Sequence, residues 1–91
     1  MKDNLQVFDK VVAELRDLYA KKNKDYGDSF ARSLDKHGLI AYVVRADDKM
    51  ERINSLVKTK AEVNDEAIED TIRDLANYSI MAAMWLSEGQ K

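Results

Sequence analysis

The feature that most constrains this chain is a shortage of turn-forming residues: 91 residues include no proline and only three glycines. Strand-dominated folds need a turn every ~8–12 residues, usually made with glycine, proline or asparagine. Long stretches here have none of these, and lysine, glutamate, aspartate, leucine and alanine are abundant, as in amphipathic helices. We therefore expect an all-α fold with one domain spanning residues 1–91.

Apolar residues recur every three or four positions, which is the period of one helical face. In the first segment this stripe consists of Leu5, Phe8, Val12, Leu15 and Tyr19. The pattern predicts a small bundle of three main helices near residues 5–22, 39–58 and 65–86.

The ends of these helices are marked by polar residues. Asn4 is expected to cap the first helix, and Asn64 or Asp65 the third. Residues 21–38 hold two of the three glycines, so we expect irregular structure there, with a short helical turn around Phe30 to Leu34. The tail, residues 87–91, is expected to be frayed.

Composition narrows the classes of function. Without cysteine there is no disulfide framework and no thiolate metal site. The amino-terminal residues lack the apolar core of a signal peptide, and no stretch approaches the ~20 apolar residues of a membrane span. We expect a cytoplasmic protein without a membrane partner. The net charge of −2 argues against an extended nucleic-acid surface, which needs a basic face.

Self-association is expected from the third predicted helix. Its segment Ile80 to Leu86 is apolar all round, which is typical of a helix buried on every side. A coiled-coil-like stripe runs along the same helix through Ile68, Ile72, Leu75, Ser79, Ala82 and Leu86. A domain this small buries a limited share of its surface. We therefore predict a homodimer or homotetramer.

The third predicted helix also carries an acidic stripe. Glu66, Asp70 and Asp74 are four residues apart and fan over roughly 80° of one face, the face that later presents Met81 and Met84. The stripe should therefore face an internal cleft. The second predicted helix offers Asp47, Asp48 and Glu51, beside Arg45 and Arg52.

Repulsion between neighbouring carboxylates must be offset by a cation. Mg²⁺ would do this with oxygen ligands, and Mn²⁺ is an alternative. Simple surface ion pairs with arginine or lysine, such as Asp70 or Asp74 with Arg73, are the other explanation.

Three segments together resemble a known family: KNKDYGDSF (22–30), RADDKMER (45–52) and NDEAIEDTIRDLANYS (64–79). They look like the nucleotide modification associated domain 1 family, found in phages and bacteria. That family is distantly similar to the MazG-like all-alpha NTP pyrophosphatases, which include dimeric dUTPases. In MazG-like enzymes, acidic residues on two adjacent helices hold Mg²⁺, and water attacks between phosphates to release a nucleoside monophosphate and pyrophosphate.

The resemblance and the charge pattern together give a residue-level hypothesis. The expected metal ligands are Asp48, Glu66, Asp70 and Asp74. The expected catalytic residues are Glu51 as general base, with Arg52 and Lys49 neutralising phosphate charge. The expected substrate-binding residues are Lys24, Tyr26, Arg45, Asn77 and Tyr78.

Three functions are compatible with this sequence. The first is a Mg²⁺-dependent pyrophosphohydrolase of a nucleoside tri- or diphosphate with a standard or modified base. The second is a non-catalytic nucleotide-binding module that uses the same pocket. The third is a helical interaction module, linked to nucleotide modification, whose acidic groove binds a basic partner. The sequence does not identify the base.

Overall fold

The computed structural model describes residues 4–23, 28–59 and 63–89, and every secondary-structure element in them is helical. Helix α1 spans Asn4–Lys22, α2 Asp28–His37, α3 Ile40–Val57 and α4 Val63–Ser87. The prediction of an all-α fold is therefore confirmed. Among the described helices, none is long and apolar enough to cross a membrane.

Helix α2 corrects the prediction of three main helices and of irregular structure after residue 27. It has ten residues, where only a short helical turn was expected. Phe30 and Leu34, one turn apart, are 2% and 1% exposed and fix the helix to the core. Gly38 ends it with a φ of 73°, and its amide donates to the Leu34 carbonyl at 2.8 Å.

The start of α4 differs from the expected cap. This helix begins at Val63, so Asn64 and Asp65 are already helical, whereas α1 begins at Asn4, the first residue that the structure describes. The acidic residues Asp65 and Glu66 therefore occupy the first turn of α4, where negative charge suits the helix dipole. Helix α4 ends at Ser87, and the Ser87 hydroxyl donates to the Met84 carbonyl at 2.7 Å.

The core forms where α2 meets α4. It consists of Phe30, Leu34, Tyr78 and Met81, with Tyr19, Ala41, Tyr42 and Trp85 packed against it. The rings of Phe30 and Tyr78 meet edge to face, with centroids 4.8 Å apart. The Trp85 indole donates to the Asp35 carboxylate at 3.0 Å, which ties α4 to α2 at the edge of this core.

Helices α3 and α4 pack as an antiparallel hairpin. Lys49 lies 3.6 Å from Asp74, and seven residues earlier on α3 the Tyr42 hydroxyl is 2.7 Å from that of Ser79. Ser79 donates its one hydroxyl proton to the Leu75 carbonyl, so the Tyr42 phenol donates to Ser79. These two contacts set the register of the hairpin.

Polar contacts fix α1 against α4. The buried Asn77 amide donates to the Leu15 carbonyl at 3.2 Å. Arg73 pairs with Glu14 at 2.9 Å and with Glu69 at 2.8 Å. Hydrogen bonds to Glu69 and Glu14 raise the pKa of the Arg73 guanidinium further above its ordinary value, so Arg73 holds its charge at any physiological pH.

Asn77→Ala should lower the free energy of unfolding by about 1–3 kcal/mol, because it removes a buried hydrogen bond between helices. Asn54→Ala is the matched control, since Asn54 is an exposed helical asparagine and the change there should stay within about 0.5 kcal/mol. Urea denaturation of both variants measures the difference. Equal effects would contradict the structural role of Asn77.

The segment Ile80 to Leu86 is only partly covered within one chain. Met81 and Ala82 are buried, as expected. Ile80, Met84 and Leu86 are 46%, 44% and 38% exposed, so the expectation of burial on every side is not met by a single copy. The sequence placed Met81 and Met84 together on one buried face of this helix, but the structure buries only Met81.

Candidate functional site

The charged residues of the hairpin come together at the contact between Lys49 and Asp74. Their ammonium and carboxylate groups are 3.6 Å apart, and the two side chains are 27% and 25% exposed. The Lys49 ammonium also stands 5.9 Å from the centre of the Tyr78 ring, within the range of a cation–π contact. Partial burial strengthens both interactions relative to open water.

Tyr78 links this charged contact to the core. Burial raises the pKa of its phenol; the positive charge of Arg45 lowers it, and the carboxylate of Asp74 raises it. The net shift is upward, so Tyr78 keeps its proton at neutral pH and can donate a hydrogen bond. Arg45 and Asp74 therefore both lie within electrostatic reach of the Tyr78 phenol.

Arg45, Asp48 and Arg52 project from one side of α3. At about 100° per residue they lie within roughly 40° of Ala41, which packs against the core that contains Phe30 and Leu34 of α2. We name this the α2 side of the hairpin. Arg45, Asp48 and Arg52 are all exposed there.

The acidic stripe of α4 lies on the same side. Asp70 and Asp74 are within about 20° of the buried Met81 around the helix, and Glu66 is about 60° from it. Asp74 is half-buried, whereas Glu66 and Asp70 are exposed. The expectation of an internal cleft is therefore met for Asp74 and not for the other two within a single chain.

Two predicted residues take no part in the charged contacts of this cluster. Glu51 is exposed and lies about 160° round α3 from Lys49, on the side that faces away from α4. Asn77 is 5% exposed and holds α1, so the structure gives it a structural role. Lys24 and Tyr26, predicted to bind substrate, lie outside the described residues.

The carboxylates do not form a dense cage. Within residues 4–23, 28–59 and 63–89, no three aspartate, glutamate or histidine side chains are close enough together to hold a metal ion. One or two protein carboxylates suffice for Mg²⁺ when substrate phosphates and waters complete its coordination. The metal assignments for Asp48, Glu66, Asp70 and Asp74 stay predictions.

A cavity of about 310 Å³ adjoins the charged cluster. Its lining residues are Ser33, His37, Ile40, Ala41, Val44 and Arg45. Arg45 belongs to both the cavity and the cluster. The sequence did not predict this cavity. Its only local signal is the spacing of Ile40 and Val44, apolar residues four apart, which the structure shows to be 58% and 51% exposed.

A comparison with protein families matches residues 22–86 to the family described as nucleotide modification associated domain 1. The match covers well over half of the chain, which therefore belongs to this family. No curated protein matches the chain. No solved structure matches it either.

Proposed function

We propose that this member of the nucleotide modification associated domain 1 family is a Mg²⁺-dependent pyrophosphohydrolase that acts on a nucleoside tri- or diphosphate with a standard or modified base. The single observation that carries the proposal is the partly buried contact between Lys49 and Asp74, at 3.6 Å, with Arg45 near Tyr78 beside it. The family description, which names nucleotide modification, supports the class of substrate.

The contact between Lys49 and Asp74 suits a ligand that carries both signs of charge. A nucleotide with its magnesium ion is such a ligand: the phosphates offer anionic oxygens and the metal a cationic centre. Lys49 can turn from Asp74 to a phosphate, and Asp74 from Lys49 to the metal, so neither buried charge loses its partner.

The residues present fit Mg²⁺. Its preferred donors are oxygens, and Asp48 on α3 and Asp74 on α4 supply carboxylates on the α2 side of the hairpin. Asp70 and Glu66 are further donors along the same stripe. When bound, Mg²⁺ would neutralise charge on phosphate oxygens and lower the pKa of the attacking water.

The remaining chemistry belongs to the side chains of the chain itself. Lys49, Arg45 and Arg52 would stabilise negative charge as it develops on the phosphates. The protonated Tyr78 phenol would donate to a phosphate or sugar oxygen. The cavity that Arg45 helps to line would hold the apolar face of the nucleoside against Ile40 and Val44. The role of Glu51 as general base stays a prediction.

A nucleotide-binding module without turnover is the second candidate. The observation in its favour is the spacing of the carboxylates: no three of them come together among the described residues. Hydrolysis between phosphates needs a positioned base as well as a metal, whereas binding needs only the charged pair and the cavity. Turnover separates these two candidates.

We also propose that the protein works as a homo-oligomer and that its fold is MazG-like. Self-association is supported by accessible surface. The chain exposes 6976 Å², whereas a compact monomer of its mass exposes about 5,400 Å². Its radius of gyration, 14.6 Å, also exceeds the roughly 12 Å usual for this length. The cytoplasmic location expected from the sequence stays a prediction.

The proposal is tested with a panel of standard and modified nucleoside di- and triphosphates in the presence of Mg²⁺ or Mn²⁺. We expect release of pyrophosphate or phosphate together with the nucleoside monophosphate, and a rise in Tm with the same nucleotide. Chelation of the metal should abolish the release. A nucleotide that raises Tm without being cleaved would replace the enzyme with the binding module.

A further inference from the structure

The cavity between α2 and α3 has two kinds of wall. Ile40 and Val44, one turn apart on α3, form an apolar surface, whereas Ser33 and His37, one turn apart on α2, are polar. Arg45 is the permanently charged member of the lining. A flat ring with apolar faces and polar edges is the kind of ligand that such a lining accepts.

The size of this cavity suits a nucleobase and not a whole nucleotide. Its volume of about 310 Å³ is near the lower end of the roughly 300–1,000 Å³ of small-molecule pockets. The phosphates would therefore lie outside it. Arg45 leads to the place proposed for them, because its charge also acts on the Tyr78 phenol, which lies beside Lys49. Base and phosphates would then lie on either side of Arg45.

The polar side chains of the cavity are available to a ligand. Within the described part of the chain, no hydrogen bond or ion pair occupies the side chains of Ser33, His37 or Arg45. The Arg45 guanidinium can only donate, whereas the Ser33 hydroxyl and a neutral His37 imidazole can each donate and accept. Among the described residues that line the cavity there is neither a carboxylate nor a side-chain amide.

This set of groups favours one class of base. In nucleic-acid recognition, arginine and lysine donate to the carbonyl oxygen of a base, whereas asparagine, glutamine, aspartate and glutamate receive its amino groups. A base with a carbonyl group can accept from Arg45, and its ring N–H can donate to Ser33 or His37. An amino group in the same place would turn its own N–H donors toward those of Arg45 and leave them without an acceptor, which weakens binding.

We infer that Arg45 recognises the base of the nucleotide, and that the cavity selects bases with a carbonyl group over bases with an amino group at the same ring position. The inference rests on the proposed function and deepens it by naming the class of base. It applies to turnover and to binding alone, because both need the same contacts. Arg45 has five N–H donors, so a contact with the base leaves others for a phosphate oxygen.

Matched pairs of nucleotides provide the test. UTP has a carbonyl group where CTP has an amino group, and ITP has one where ATP has an amino group, while the sugar and phosphates are the same. Their α,β-methylene analogues resist cleavage between the first two phosphates, so calorimetric titration in the presence of Mg²⁺ measures affinity alone. We expect the carbonyl member of each pair to bind about tenfold more tightly or better.

Two substitutions at Arg45 separate its donor chemistry from its charge. Arg45→Lys keeps a group that only donates and should keep the preference for carbonyl bases. Arg45→Gln also supplies an acceptor, so the preference should fall to about twofold or less, however much the affinity for the shared phosphates falls. Arg52→Gln is the control. Arg52 lies two turns further along the same side of α3, beyond the cavity lining, so both members of each pair should weaken equally.

Single aromatic residues report directly on occupation of the cavity. The chain has one histidine and one tryptophan, so the proton NMR signals of the two rings need no further assignment. His37 lines the cavity, whereas the Trp85 indole bonds to Asp35, about 160° round α2 from His37. The methylene analogue of UTP should shift the imidazole signals of His37 and leave the indole N–H signal of Trp85 nearly unchanged.

The results that would overturn the inference differ in what they leave standing. Binding without a preference within the pairs, or without a shift of the His37 signals, would remove the base from this cavity and keep the proposed function. A preference that survives Arg45→Gln would remove Arg45 as the residue that recognises the base. Binding of none of the analogues would remove both the inference and the proposed function. The wild-type titrations and NMR decide the case if Arg45→Gln fails to fold.

Discussion

Phe30→Ala should cost about 3–5 kcal/mol of folding free energy, enough to leave much of the protein unfolded at physiological temperature. Phe30 is 2% exposed, and its ring meets that of Tyr78 edge to face at 4.8 Å. The substitution leaves a cavity between α2 and α4. It also removes the aromatic pair, which alone contributes ~0.5–1.5 kcal/mol beyond burial. In a chain of 91 residues few other core contacts can compensate.

The chain contains its own control for this prediction. It has two phenylalanines, and Phe8 on α1 is 64% exposed. Phe8→Ala should change stability by less than about 1 kcal/mol. Denaturant titration followed by circular dichroism compares the two variants. Similar losses at both positions would contradict the placement of α2 at the centre of the core.

The sequence predicted three of the four helices because their apolar residues repeat with a helical period over 18 or more residues. Helix α2 has only ten residues, of which Phe30 and Leu34 carry the burial. Asp28, Ser29 and the nearby glycines are also typical of loops. This segment is stabilised as a helix by packing against Tyr78 and Met81, which lie far along the chain. The local sequence pattern does not predict such long-range contacts.

Part of the site could also be predicted. Helical period alone places Asp70 and Asp74 on one side of α4, and short connections favour an antiparallel partner. The pairing of Lys49 with Asp74 depends on the register between α3 and α4, which the contact between Tyr42 and Ser79 helps to set. For the same reason Asn77, on the acidic side of α4, could not be recognised as the residue that holds α1.

Lys49→Met should lower kcat/KM for the nucleotide by ~100-fold or more, because it removes a positive charge where charge develops on the phosphates. Methionine keeps much of the aliphatic stem of Lys49, whose ammonium lies 5.9 Å from the centre of the Tyr78 ring. Stability should therefore change far less than activity, by about 1 kcal/mol at most for a pair of this exposure. Lys10→Met, at an exposed lysine of α1, is the control for loss of one surface charge.

A structural ion pair would also be damaged by this substitution, so the readout must separate binding from folding. Asp74→Asn and the double variant complete a cycle with Lys49→Met, measured both as Tm without ligand and as the rise in Tm with Mg²⁺ and nucleotide. If Lys49 and Asp74 serve the ligand, either single change should remove most of that rise while the ligand-free Tm stays near the wild-type value. A coupling seen only in the ligand-free Tm, with an undiminished response to nucleotide, would assign the pair to folding alone and remove it from the proposed site.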